Sequence, residues 1–477
     1  MNLSRKILLN GIATTMNTAS GLIRNKIFAI FLSINLFGIL SIGQQSMSLM
    51  FTILAFGLPL GISTLVSQSV SLPKQEQTIR TTQIIVLTFA FAVGIAILLG
   101  CILLFTSSNI SYLITGSYTY VTAITIMLLA IPFMIVELCL YSIMEGMGQI
   151  KKIVAFRIIP SILIIPIVYI LTSQYGFIGA SYGVFINEIL LSIIAIFLLR
   201  EFIVITKASF QLHYVYTNIV KVALLSLGVG VSWLITDFLI KRFALNQAGE
   251  ITNGIIQSVA KVTDLYPNIV LAWLTMHLFP VLGGRRDDKE FISATVERTM
   301  TIALALIIPI VIFLFSFRPQ ILAVIYKKEF VQASFYFGTM LITGIPKVFS
   351  WVLGVSLLPI GMKRQWFYSS LMYAIIYGLL AFIGLNTELS LYAIPIAFGV
   401  SLCFQSSYLY YHFNKNKIKF SKQFTEQIIY YCCITLLLVI SLFYNVVLIL
   451  VILGYIAFCV RYKLFKEIFD KIRRIIS

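Results

Sequence analysis

Charge is what this sequence has least of. Only 11% of its 477 residues are Asp, Glu, Lys or Arg, where a soluble domain carries about 25%. With a hydrophobic fraction of 60%, that shortage excludes a disordered chain, which combines high charge with little apolar surface. It argues equally against a soluble enzyme of two or three domains. Histidine and cysteine are scarce and scattered. His213, His277 and His412 are far apart with no HExxH. Cys101, Cys139, Cys403, Cys432, Cys433 and Cys459 lie in apolar stretches without a disulfide or metal-ligand spacing. No GxxxxGK[ST] loop occurs, so no cofactor or built-in ATPase is expected. The connections between apolar runs are too short for a soluble catalytic domain.

What the chain has instead is long apolar runs. A membrane barrel shows weak alternation over about ten residues, whereas these runs approach the roughly 20 residues of a spanning helix. Spans are expected near 8–31, 42–66, 82–105, 120–144, 154–173, 177–199, 217–240, 255–280, 298–317, 333–360, 365–385, 388–411, 427–443 and 445–461. The fold class is therefore an all-α polytopic membrane protein, with about fourteen transmembrane spans. The last two spans are short, and only Phe443, Tyr444 and Asn445 stand between them to make a turn. The N-terminus, MNLSRKILLNGIATTMNTASGLIRNK, starts basic but has no compact apolar core before a cleavage site, so it reads as a retained first helix.

The net charge of +18 on a soluble protein would point to nucleic acid. Here it reads as an orientation signal. With the N-terminus inside, 23 of the Lys and Arg residues fall in inside segments and 5 in outside ones. The excess of cations in cytoplasmic loops then puts both termini in the cytoplasm and favours two spans over 427–461 rather than one long tilted helix. The connection 200–216 follows six spans and divides the first twelve into a lobe at 1–199 and a lobe at 217–411. Residues 412–477 supply a basic loop, the terminal helix pair and a tail. Two equal six-helix lobes point to a duplicated transporter core.

Ions inside a bilayer are costly and usually face a cavity or a partner. Arg24 and Lys26 interrupt the first span in GLIRNKIFAIF, and the apolar IFAIFLSI that follows favours a helix running on past them. Lys347 sits in TGIPKVFSWVLG, where Pro346 can kink the helix and free backbone groups. Arg157 follows Lys151 and Lys152 and is either interfacial or internal, and Lys221 reads as interfacial. Lys261 and Asp264, three apart, share one helix face, either as an ion pair or lining a cavity. Glu137 and Glu188 are the acids inside the first lobe, either coupling a proton or sodium gradient or serving helix packing. Asp237 can pair with Lys241 near the outer surface, and Glu297 and Arg298 lie at a span edge. Basic groups outnumber acids in this set, which suits an anionic ligand. Gln44, Gln45, Gln68, Asn187, Gln257, Asn268 and Gln405 could bind sugar hydroxyls, and Tyr266, Trp273 and Trp351 either stack on sugars or pack. Gly57, Pro59 and Gly61 in AFGLPLGIST mark a bendable helix.

Three stretches carry a resemblance. They are residues 21–68 (GLIRNK through STLVSQ), 245–284 (LNQAGE through FPVLGG) and 318–333 (RPQILAVIYKKEFVQA). With the six-plus-six layout, roughly 1–411 resembles the multidrug/oligosaccharidyl-lipid/polysaccharide exporter superfamily, and within it an O-antigen translocase. Arg24 resembles the cavity arginine of lipid II flippases, which follows a Gly and two hydrophobic residues, here Gly21, Leu22 and Ile23. Those relatives usually carry an acid next, where this chain has Asn25. Phe279 and Pro280 resemble the end of the second stretch; the third departs, with Lys327 and Lys328 after Tyr326. The resemblance implies a bacterial inner-membrane flippase, not an enzyme. Its cargo would be an oligosaccharide linked through diphosphate to a polyprenol, for polysaccharide or lipopolysaccharide biosynthesis. Arg24, Lys26, Arg157, Lys261, Asp264 and Lys347 would meet the substrate, with Glu137 and Glu188 as coupling acids. Implied partners are membrane lipids and the polysaccharide polymerase and chain-length machinery, with no nucleic acid. A multidrug/cation antiporter or a lipid II flippase would share the layout. A membrane glycosyltransferase would want an acid or His pair beside a large outer loop.

Overall fold

The computed structural model of the chain describes residues 3–55, 57–69, 73–202, 213–444 and 446–461. Most of the expected connection 200–216, Asn445 at the expected final turn, and the basic tail beyond Arg461 lie outside the described residues. The described residues are helical, without a strand: α1 (Leu3–Phe31), α2 (Ile34–Leu54), α3 (Leu58–Ser69), α4 (Lys74–Thr115), α5 (Val121–Leu128), α6 (Ile131–Gly146), α7 (Ile150–Leu199), α8 (His213–Thr263), α9 (Leu265–Gly283), α10 (Lys289–Ser316), α11 (Arg318–Ile325), α12 (Ser334–Ile342), α13 (Gly344–Leu357), α14 (Lys363–Leu385), α15 (Ala393–Lys415), α16 (Lys422–Ser441) and α17 (Val447–Arg461).

These helices and the expected spans differ in two instructive ways. First, α7 and α8 each hold two spanning segments joined at a glycine. Gly176 adopts φ 54°, ψ −128° and Gly249 φ 79°, ψ 177°, conformations that a β-carbon disfavours. At the first of these the chain doubles back on itself. A β-carbon on Gly179 would come within 1.9 Å of the Leu171 carbonyl oxygen, and one on Gly183 within 3.1 Å of Val168. Second, four spans are each split into two helices: α2/α3, α5/α6, α8/α9 and α12/α13. In each, a proline stands at the second or third position of the following helix (Pro59, Pro132, Pro267 and Pro346). Proline is tolerated there because those N–H groups have no partner within their own helix, whereas it cannot continue a preceding one. Counted by segment, the described residues reproduce the all-α polytopic layout of about fourteen spans. Nine helices among them are long and apolar enough to cross a membrane by length and composition alone. The α4 face that meets no other helix is apolar, with Leu104 79% and Phe105 87% exposed, as lipid contact requires.

The chain forms two compact units, Met1–Gly254 and Ile255–Ser477. In the first, α1 lies along α7, and α6 packs on α3, α4 and α7. Gly38 on α2 admits the backbone of Gly254, since a β-carbon there would lie 2.7 Å from the Gly254 nitrogen. In the second, α10 packs on α9 and α13, α14 pairs with α15, and α16 with α17. The terminal pair is two helices, as the charge pattern requires, and it is bolted to one face of α10 at four-residue intervals. Glu297 accepts from the Ser421 hydroxyl at 2.7 Å, Thr301 donates to Gln427 at 2.9 Å, and the Ala305 carbonyl accepts from Tyr455 at 2.6 Å. Glu297 is thus a structural anchor for α16.

Candidate functional site

In the first unit, one face of α1 is polar over three turns. Thr14, Asn17, Ser20 and Arg24 recur at three- and four-residue spacing and so stack on one side of the helix. Each meets α7, in either its first or its second segment. Arg157 donates to the Thr14 hydroxyl and, at 2.6 Å, to the Tyr141 hydroxyl of α6. Ser161 donates to the Asn17 side chain at 3.1 Å, and Ser20 to the Ser161 carbonyl at 2.7 Å. Arg24 donates through Nη1 to Asn187 Oδ1 at 3.0 Å. Asn187 in turn donates to Glu188 at 2.8 Å, and Glu137 on α6 is the acid that neighbours Glu188. Arg24, Asn187, Glu188 and Glu137 therefore form one chain of contacts, in which Asn187, Glu188 and Glu137 are each 8% exposed.

Two features of this chain have chemical consequences. The Arg24 Nε–H is buried with no hydrogen-bond partner. An unpaired donor on a cation, in low dielectric, is a strong site for an anion. Glu137 and Glu188 bring two buried carboxyl groups together beside the guanidinium. Arg157 meets α1 at Thr14, ten residues and about 15 Å along the axis from Arg24, so the two offer cationic groups at two depths.

In the second unit, the charged residues sit at the helix breaks. Asp264 occupies the break between α8 and α9 itself, and Lys347 stands in the first turn after the break between α12 and α13. They form an ion pair at 2.9 Å, with side chains 48% and 19% exposed respectively. The helix that would align Lys261 with Asp264 ends between them, at Thr263. Tyr266 is buried, and a β-carbon on Gly344 would lie 2.1 Å from its hydroxyl. It therefore packs against the second break, with no face open for stacking. Ser350 donates to Gln405.

The remaining candidates are placed as follows. Lys26 and Lys261 are half-buried. Asp237 pairs with Lys241 at 2.8 Å and also accepts from Gln45, so that pair is structural and internal to the first unit. The side chains of Lys221, Gln68, Trp273, Phe279 and Pro280 lie outside the described residues. Sequence reasoning missed Thr14 and Tyr141 as partners of Arg157. The signal for Thr14 was present in the polar spacing along α1, whereas Tyr141 lies on a separate helix and leaves no such mark. Among the described residues no group of three or more His, Cys, Asp or Glu could hold a metal ion.

Solved structures share this fold. The chain superposes on an inward-facing multidrug resistance transporter of the MATE family, within the MOP superfamily, with a TM-score of 0.71 at 16% identity, covering 86% of this chain and 98% of that one. It superposes on the lipid II flippase MurJ, in an inward closed conformation, with a TM-score of 0.71 at 16% identity, covering 96% and 99%. A third likeness is to a MOP superfamily transporter from Pyrococcus furiosus described as having a binding pocket of reversed polarity (TM-score 0.65, 18% identity, 87% and 96% covered). No family model matches the sequence, and no curated protein matches it. The chain shares the multi-pass helical fold of these proteins.

Proposed function

We propose that the protein is a flippase. It moves polyprenyl-diphosphate-linked oligosaccharide repeat units from the cytoplasmic to the outer leaflet by alternating access, in a bacterial inner membrane, with both termini cytoplasmic. The observation that carries this reading is the buried Arg24 guanidinium with an unpaired Nε–H, a donor suited to a diphosphate. Arg157 and Lys347 support it as further cations within spanning segments; Lys26, Lys261 and Asp264 complete the substrate-facing set. Gln and Asn side chains would meet the sugars, and the polyprenol would stay in lipid. No bond is made or broken in such a cycle, so the protein is read as a transporter and not an enzyme. Polysaccharide assembly, including O-antigen synthesis, is the setting for such cargo, with a polymerase and chain-length machinery as partners. The neighbouring acids Glu137 and Glu188, both buried within spanning segments, support coupling to a proton gradient, since ionisable groups at such depth are costly and are kept where they serve transport.

The same acid pair favours a second reading, a multidrug/cation antiporter. A binding titration separates the two. Purified protein is titrated with a short-chain polyprenyl-diphosphate disaccharide and with an organic cation such as ethidium. Saturable binding of the diphosphate, weakened at least tenfold by Arg24→Gln, supports the flippase. Binding of the cation alone, unaffected by Arg24→Gln, overturns it.

A further inference from the structure

The turn between α15 and α16 carries a charge pattern that transport of the cargo does not use. Residues 414–422 read NKNKIKFSK, and Lys415, Lys417, Lys419 and Lys422 are all exposed. None of the four makes an ion pair among the described residues. Orientation in the membrane depends on the number of such cations and not on their arrangement, so a slack loop would serve. This turn is not slack. The amides of Asn416, Lys417 and Ile418 donate to the carbonyls of His412, Asn414 and Phe413 at 3.1, 2.9 and 3.0 Å, and the Asn416 side chain donates to the same His412 carbonyl at 2.8 Å. Lys417 is held at φ 61°, a conformation that costs a non-glycine residue free energy and persists only where its surroundings enforce it.

The apolar residues between the lysines supply that enforcement. Ile418 and Phe413 are buried. The Phe420 ring packs against Tyr410, Phe413 and Phe424 at centroid distances of 5.3, 5.5 and 5.0 Å. Ser293 donates to the Lys419 carbonyl at 2.6 Å. The acid beside the turn, Glu297, is engaged by the Ser421 amide and hydroxyl and by Ser293. Glu426 follows one turn into α16 and is exposed. The result is a fixed platform with four cationic side chains projecting from it and an aromatic base beneath.

We propose that this turn is a binding site for the phosphate of anionic phospholipid headgroups in the leaflet it faces, the cytoplasmic one in the orientation given above. Each lysine near an anionic surface gains electrostatic free energy. A turn already held in place loses little conformational freedom when a headgroup docks. Lysine ammonium groups act as point charges without a planar geometry to match, which suits headgroups of varied shape. The inference stands independently of what the protein transports.

The test uses the purified full-length protein and lipid retention by native mass spectrometry, with phosphatidylglycerol set against phosphatidylcholine of the same chain length. Wild type is expected to retain phosphatidylglycerol about tenfold more strongly than phosphatidylcholine. Lys→Gln at all four positions removes the preference, and Lys→Arg at all four keeps it. Single Gln substitutions, milder for folding, lower it stepwise. A control, Lys363→Gln with Arg364→Gln, leaves it in place. Equal preference in wild type and the single and fourfold Gln variants overturns the proposal, and so does a control that loses as much as the fourfold variant.

Discussion

At the scale of residues, the informative groups are the few ions that the apolar runs contain. That Arg24 needs a partner is legible from sequence, because a guanidinium in an apolar stretch demands a reason. Its partner is not, since Asn187 lies 163 positions away and only the fold brings them together. The same limit explains Asp264. Helical spacing offers Lys261 as its neighbour, but the helix stops at Thr263 and the ion pair goes to Lys347, 83 positions on. This pairing has a consequence of definite sign. If Lys347 meets an anionic cargo, Asp264 competes with that cargo for it. Asp264→Asn should then tighten binding of a polyprenyl diphosphate, by up to roughly fivefold given that half-exposed ion pairs contribute about 1 kcal/mol or less. Lys347→Gln should weaken it. Isothermal titration of both variants decides the matter, and weaker binding by Asp264→Asn would assign Asp264 a different part. For the carboxyl pair, Glu137→Gln should abolish the response of transport to an imposed proton gradient while leaving cargo binding intact. Uptake measured with and without the gradient, beside the binding titration, reads both quantities.

At the scale of elements, the recurring device is the interrupted span. AFGLPLGIST and Pro346 announce two of the four breaks, whereas Pro132 and Pro267 stand in runs that read as continuous. A proline near a helix start and a proline that kinks a helix look alike in sequence, so which one occurs is decided by packing. Once seen, the pattern is regular: the second and fourth spans of each six are the broken ones. Broken helices at corresponding positions are where transporters built of repeats often place binding groups. The tight reversal at Gly176 makes a separate prediction. Gly179→Ala forces a β-carbon onto the Leu171 carbonyl oxygen and should cost about 1–3 kcal/mol, seen as a lowered melting temperature in detergent. Gly94→Ala, at a position with open space, serves as the control and should leave it unchanged.

At the scale of the whole molecule, the scarcity of charge that first marked a membrane protein also sorts the charges into three groups. One group is the expected orientation signal, and cysteine labelling of the two termini tests it: both should be protected from an impermeant reagent in intact cells. Another, including Glu297 with Ser421 and Asp237 with Gln45, holds helices together. The third, with Arg24 at its centre, is the set proposed above to meet a ligand. The number of spans and their class were legible because they follow from runs of apolar residues. Membership of the third group was only partly so, because it depends on which groups the other helices leave unpaired. The most direct test of the central claim is a flipping assay in proteoliposomes. Wild type and Arg24→Ala are each reconstituted with fluorescent polyprenyl-diphosphate oligosaccharides, and movement between leaflets is followed by access to a membrane-impermeant quencher. The account predicts transfer by wild type with at least one such donor and loss of at least tenfold in Arg24→Ala, with folding intact by melting temperature. Absence of transfer with every donor, or full transfer by Arg24→Ala, would contradict it.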